Sequence, residues 1–189
     1  HQLETLVRFY RREWHQKSDS HMPKDFPFQI TQLPSWHAPQ SAPSEGIESP
    51  WVANREAMRL ATKNLPNTHM AVSIDTGDAV ALHPKNKKPI GIRHATIALK
   101  NTYRKYPVGQ GPRYRAHKLE KGRILIEFDS VGAGLKPARS EPLSGFAIAG
   151  SDRQWHWADA KITGTTLTVS SPDVFEPVAV RYAWAMNPS

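Results

Sequence analysis

Leu3, Leu6, Val7, Tyr10 and Trp14 recur at helical spacing in residues 1–17, with Arg8, Arg11 and Arg12 on the other side. That period predicts an amphipathic helix with its apolar stripe turned inward. Polar residues and Pro23 end it. Residues 26–34, FPFQITQLP, form a short β-prone apolar run closed by Pro34, which predicts a buried strand. Residues 35–48 are rich in Pro, Ser and Gly and read as a loop. Ser49-Pro50 has the pattern of an N-cap followed by proline at the first helical position. The helix it opens runs to about Asn64, where Pro66 stops it. Residues 69–75, HMAVSID, predict a second buried strand, and residues 76–86 a turn-rich loop. A third helix follows from about Lys87 to Arg104, with Pro89 tolerated in its first turn.

Alternation of helix and strand over the first hundred residues implies a parallel sheet covered by helices. Two strands are too few for a stable open sheet. The first part therefore reads as the tail of a larger α/β domain. From about Tyr106 the period changes to two, in Ile124-Ile126-Phe128, Phe146-Ile148, Trp155-Trp157, Leu167-Val169 and Val178-Val180-Tyr182-Trp184. Turn-forming clusters such as Asp129–Gly134 and Thr163-Gly164 separate these runs, as in an antiparallel β-sandwich or barrel. The division falls at 1–104 and 105–189. Within the β-region the alternation turns Trp155 and Trp157 toward the core and His156 outward.

Composition narrows the classes. The 189 residues contain no cysteine, which excludes a disulfide scaffold, a thiolate metal site and a cysteine nucleophile. No apolar run is long enough to span a bilayer, and no membrane partner is expected. A start at His1 with no leader reads as a mature product or an excised piece. The net charge of +8 is uneven: the window from Lys85 to Arg123 carries +11, and the remainder −3. Twelve cations there raise a nucleic-acid reading. The window spans a helix, a linker and the first strand of the β-region, without a recognisable nucleic-acid module. A solvated surface at a domain junction accounts for it better, and no nucleic-acid partner is expected. Cations near a site could also steer an anionic ligand.

The sharpest local feature is Asp75-Thr-Gly-Asp78-Ala-Val-Ala-Leu-His83-Pro84-Lys-Asn86, between a strand and a helix. Ligands of open α/β sheets bind beyond the carboxyl ends of the strands. A histidine placed there can serve as general base to a serine nucleophile. With nine histidines in the chain, a plain surface role for His83 is the competing reading. Trp36-His37, in the loop leaving the first strand, can line a ligand pocket by stacking or simply pack. Arg55 either supports the loops or lies on the surface, the second being the commoner case. No His-Glu-x-x-His spacing occurs, so no metal is assigned.

His83-Pro84-Lys-Asn86-Lys87, with its preceding apolar strand and Asp75-Thr-Gly, resembles the last motif of the sialate O-acetylesterase family, a branch of the SGNH hydrolases. FPFQITQLP resembles that family's penultimate strand and exit loop. Residues 51–70 resemble its helix and Leu-Pro-Asn turn. Gly145–Gly150, Trp157–Ile162 and Val180–Trp184 resemble its C-terminal β-region. The resemblance implies the C-terminal part of a flavodoxin-like SGNH three-layer sheet plus an antiparallel β-sandwich region.

It also implies removal of acetyl groups from sugars by a serine-histidine mechanism that calls for no cofactor, in a secreted, periplasmic or lysosome-like location. The family histidine maps onto His83. Its acid would stand two or three residues earlier, where this chain has Ala81 and Val80. Asp78 folding back, a backbone carbonyl or an acid elsewhere would orient His83 instead, while Asp75 reads as a structural loop acceptor. The Gly-x-Ser element and the oxyanion-hole blocks have no counterpart here, so the serine is expected on a companion polypeptide. The expected substrate is an acetylated carbohydrate. The alternative is a non-catalytic carbohydrate-binding or structural remnant of such an esterase.

Overall fold

The computed structural model describes residues 2–105, 109–137 and 142–188. Tyr106, where the hydrophobic period changes, and the terminal His1 and Ser189 lie outside the described residues. The chain divides into two compact units, His1–Trp36 with Pro50–Gln110, and His37–Ser49 with Gly111–Ser189.

In the first unit, α1 (Gln2–Lys17) leads into β1 (Phe28–Thr31), α2 (Pro50–Asn64) into β2 (Thr68–Ala71), and α3 (Lys88–Asn101) follows. β1 and β2 pair in parallel, Phe28 opposite Thr68 and Thr31 opposite Ala71. Parallel strands need a crossover between them, and α2 is that crossover. Helices cover both faces of the pair. On one face Tyr10 of α1 meets Phe28, and Arg11 donates to the Thr68 hydroxyl. On the other, His94 of α3 bonds the side chains of Gln29 and Thr31. α2 starts on its proline without the expected serine cap, since the Ser49 hydroxyl makes no hydrogen bond.

α1 does not bury the stripe its sequence offers. Val7 and Arg11 are the buried residues, while Leu6, Tyr10 and Trp14 are exposed. The reason is chemical. Arg11 donates from Nε and Nη2 to the Phe26 carbonyl at 3.1 and 2.9 Å, and from Nη2 to the Asn67 carbonyl at 3.1 Å. A guanidinium carries five donors in a rigid fork. It is therefore suited to tie two loop carbonyls and a threonine together below a helix. Burial lowers the Arg11 pKa from its ordinary value.

The second unit holds two antiparallel sheets. One runs in the order β3 (Arg113–Glu120), β4 (Arg123–Asp129), β8 (Thr166–Ser170), β7 (Asp159–Thr163). The other runs β6 (Trp155–Trp157), β5 (Phe146–Ala149), β9 (Ala179–Tyr182). Ile124, Ile126, Leu167 and Val169 from the first and Phe146 and Ile148 from the second share one core with Val174. β3 escapes sequence detection because it is an edge strand of mostly polar residues.

The orientation of β6 corrects the expectation from alternation. Ile148 is fully buried in the core, and His156 stands opposite it on the same face. Trp155 and Trp157 pair with Ala149 and Ala147 on the reverse face. There the Arg181 guanidinium lies 3.3 Å from the Trp155 ring centroid, and Trp157 is 40% exposed.

The basic window is divided between the two units. Arg93 is taken by Asp75, Arg115 by Glu127 and Arg123 by Glu120. Surface pairs of this kind contribute little to stability.

Arg11→Met should lower stability by about 2–4 kcal/mol, because it leaves two carbonyls and a hydroxyl without their donor. Arg8→Met, on the exposed flank of the same helix, should change it by under about 0.5 kcal/mol. Denaturant unfolding of the two variants measures this, and equal effects would remove the role given to Arg11.

Candidate active site

The candidate site grows from the carboxyl ends of β1 and β2. Gln32 continues the ladder by donating its amide to the Ala71 carbonyl at 2.9 Å. The two loops are then sewn together by their serines. The Ser73 hydroxyl donates to the Gln32 carbonyl, and the Ser35 hydroxyl to the Ile74 carbonyl. Both serines are buried, Ser73 completely. Neither is placed as a nucleophile. Their short side chains satisfy loop carbonyls that water cannot reach. Trp36 and Asp78 form a parallel bridge further along the same two loops. Gly77 runs so close to Ser35 that an added Cβ would stand 2.0 Å from the Ser35 carbonyl oxygen.

Arg55 lies beneath this junction and is 5% exposed, which overturns the expectation of a surface arginine. Its Nε donates to the Leu33 carbonyl at 2.9 Å and Nη2 to the Pro34 carbonyl at 2.5 Å. Trp51 Nε1 donates to the same Pro34 carbonyl at 2.9 Å. α2 thus carries two donors, Trp51 and Arg55, one turn apart and aimed at a single bend. Burial lowers the Arg55 pKa to about 10, so the group stays charged at neutral pH.

Asp75 is held by Arg93 through two parallel hydrogen bonds of 2.6 Å, and Arg93 also donates to the Val72 carbonyl at 2.7 Å. This bidentate fork fixes the short 3-10 turn Ile74–Thr76 to α3, as a structural acceptor would. The Asp75 hydrogen bonds hold the Arg93 pKa above its ordinary value.

The His83 loop is shaped by its flanks. Asp78 Oδ1 accepts the Val80 amide at 2.9 Å, and Asn86 Oδ1 accepts the Lys88 amide at 3.1 Å. Both are side-chain turns of the kind Asx residues form. Pro84 is buried, and the His83 beside it is exposed. No hydrogen bond joins His83 to Asp78 among the described residues. Trp36 is half-buried, its ring 5.3 Å from that of Trp51 at 49°. His37 is exposed with a positive φ of 72° and belongs to the second unit, where its carbonyl accepts Asn187 Nδ2 at 2.7 Å. The structure therefore brings Trp36 and Asp78 together and leaves His83 further along the second loop.

Sequence reasoning missed His94. With Gln29 Oε1 as acceptor at 2.8 Å, Nδ1 carries the proton, and Nε2 accepts the Thr31 hydroxyl at 2.8 Å. Burial lowers its pKa. Its signal in the sequence would have been a polar residue at the α3 position facing the two polar residues of β1.

The chain thus holds an α/β unit with its candidate residues on the strand-end loops, and an antiparallel two-sheet unit. It superimposes on a carbohydrate acetylesterase from Xanthomonas citri with a TM-score of 0.81 and 33% identity, over 96% of this chain and 42% of that one. The mouse sialate O-acetylesterase is 26% identical over 195 residues, covering 97% of this chain and 35% of the mouse protein. The Pongo abelii sialate O-acetylesterase is 25% identical over 199 residues, covering 97% of this chain and 36% of that protein. No family model matches. The chain is thus similar in sequence and fold to part of a carbohydrate acetylesterase, and in sequence to part of the sialate O-acetylesterases. It spans about a third of the length of the curated relatives it matches.

Two outcomes follow. Gly77→Ala should lower stability by about 2 kcal/mol or more, since the contact is with backbone that cannot step aside. An unchanged melting temperature would refute the close approach. Stability should also fall as the pH drops below about 6.5, because the unfolded chain then binds the proton that folded His94 resists. Replacing His94 with Gln should flatten that limb in denaturant titrations at several pH values.

Proposed function

We propose that this chain is the histidine-bearing part of a carbohydrate O-acetylesterase, with the nucleophilic serine supplied by sequence outside it. The supporting observation is the loop after β2. His83 stands exposed on it, at the carboxyl end of a parallel pair, in a chain that aligns with sialate O-acetylesterases over 97% of its length.

In this reading His83 takes the serine proton as the serine oxygen attacks the acetyl carbonyl. It returns the proton to the sugar oxygen as the ester bond breaks. Water then gives His83 a proton as its oxygen attacks the acetyl carbonyl, and His83 returns that proton to the serine oxygen as acetate leaves. Asp78 orients the imidazole after the 78–83 segment folds back, and Trp36, with the adjoining His37, contacts the sugar ring. The α/β part belongs to a flavodoxin-like layered sheet completed by the companion sequence.

A second reading rests on the Asp78 carboxylate. It caps the Val80 amide, and no acid bonds His83 among the described residues, as befits a carbohydrate-binding remnant that has lost its chemistry.

The chain assembled with the polypeptide encoded immediately ahead of it should release acetate from an acetylated sugar. His83→Ala should lower kcat about ten-thousandfold, the usual cost of deleting the base of a nucleophile–base pair. Acetate release that survives the substitution would end the assignment of His83. An assembly that binds the sugar and never hydrolyses it would favour the remnant.

A further inference from the structure

α1 carries a basic flank as well as its aromatic one. Arg8, Arg11, Arg12 and His15 follow at spacings of three and four, so they stand on one side of the helix. They form one wall of an open cleft. Lys24 and Asp25, from the loop after α1, form a second wall, and Leu65 and Pro66, just past α2, a third. All belong to the first unit. The cleft holds about 650 Å³, inside the range of roughly 300–1,000 Å³ usual for small-ligand sites.

The fold holds these walls in place. His15 Nδ1 donates to the Met22 carbonyl at 2.7 Å, and the Ser20 amide donates to the His15 carbonyl at 2.9 Å. These bonds pin the loop to the end of α1. Arg11 is anchored by the Phe26 and Asn67 carbonyls, which come just before β1 and β2. The cleft therefore lies at the amino ends of the two strands, whereas the His83 loop leaves their carboxyl ends.

Charge is the second observation. Four lasting cations, Arg8, Arg11, Arg12 and Lys24, line the cleft against one carboxylate, Asp25. Glu13 takes Arg12 at 3.3 Å. Arg8 and Lys24 have no ion pair or hydrogen bond among the described residues. Two positive charges are thus left unanswered. Burial lowers the Arg11 pKa, Asp25 pulls it back up, and Arg8 lowers it again, so the two guanidiniums feel one another. Arg8 and Arg12, four apart on the helix, also repel. Cations in a last helical turn are favoured by the helix dipole, which accounts for His15 and Lys17. Arg8 lies mid-helix and gains nothing of that kind. Like charges gathered in a concave site concentrate a positive field there.

We infer that this cleft binds a doubly charged tetrahedral oxyanion, a phosphate group, either free or carried on a sugar-sized molecule. The guanidinium of Arg8 and the ammonium of Lys24 supply charge-assisted donors to its oxygens. A phosphate dianion answers both spare charges, where a carboxylate would answer one. Leu65 and Pro66 offer an apolar wall to the body of the ligand. The inference goes beyond the esterase reading and requires neither His83 nor a serine.

Calorimetric titration of the intact protein with inorganic phosphate and with glucose 6-phosphate, at fixed ionic strength, tests it. At least one of the two should saturate a single site with a Kd of about 1 mM or tighter. Arg8→Gln and Lys24→Gln should each weaken that binding about tenfold, as loss of a charge-assisted bond does. Arg104→Gln, just past the helix α3 on the other face of the sheet, should change it by less than about twofold. All three side chains are exposed. Melting without phosphate checks that the variants fold, and Arg8→Gln should melt no lower than the parent because it removes repulsion. Tighter binding of glucose 6-phosphate would uphold the site and assign it to a sugar phosphate, and equal or weaker binding would uphold it for the free ion. No saturation by either ligand up to about 20 mM would overturn the inference. So would binding untouched by Arg8→Gln and Lys24→Gln, or acetate bound as tightly as phosphate.

Discussion

The candidate site depends on two loops being closed over two very short strands. β1 and β2 are four residues each, too short to define by themselves where the chain goes next. Buried donors do that instead. Ser73 and Ser35 satisfy carbonyls of the opposite loop, and Arg55 and Trp51 reach up from α2 to the bend at Leu33 and Pro34. An unpaired buried carbonyl costs more than a made hydrogen bond gains. The arrangement therefore has one low-energy closure, and Trp36 and Asp78 fall together within it. His83 lies beyond the fixed part, between two Asx turns, where an exposed imidazole can meet a substrate.

Much of the order of elements was legible because the patterns were local. Three helices and the paired strands of the first unit follow from apolar period, proline placement and turn residues, and the β-region from alternation. What was hidden depended on partners distant in sequence. Arg11 and Arg55 look like surface cations until the carbonyls of Phe26, Asn67, Leu33 and Pro34 come into view. Ser35 and Ser73 look like any loop serines. On α1 the same rule misled twice: the buried position went to an arginine, and the aromatic flank stayed outside. The tryptophans of β6 misled for a related reason. Alternation defines two faces of a strand but not which one meets the core, and a register with Ile148 opposite His156 chose the less apolar face.

The loop after β2 was legible in the sequence. His83 and Asp78 both lie on it, and the Asp78 carboxylate holds a turn. Asp75 is engaged by Arg93, as a structural acceptor would be. What orients His83 is therefore a property of the assembled esterase in the proposed reading. With no cysteine, this chain itself offers no thiol nucleophile.

The central claim is that this chain brings the base and not the nucleophile. Treating the assembled protein with a serine-directed fluorophosphonate and mapping the label by peptide mass spectrometry tests it most directly. The account predicts a single labelled serine on the companion polypeptide and none on this chain, whether alone or assembled. A stoichiometric label on Ser35, Ser73 or any other serine of this chain would contradict it.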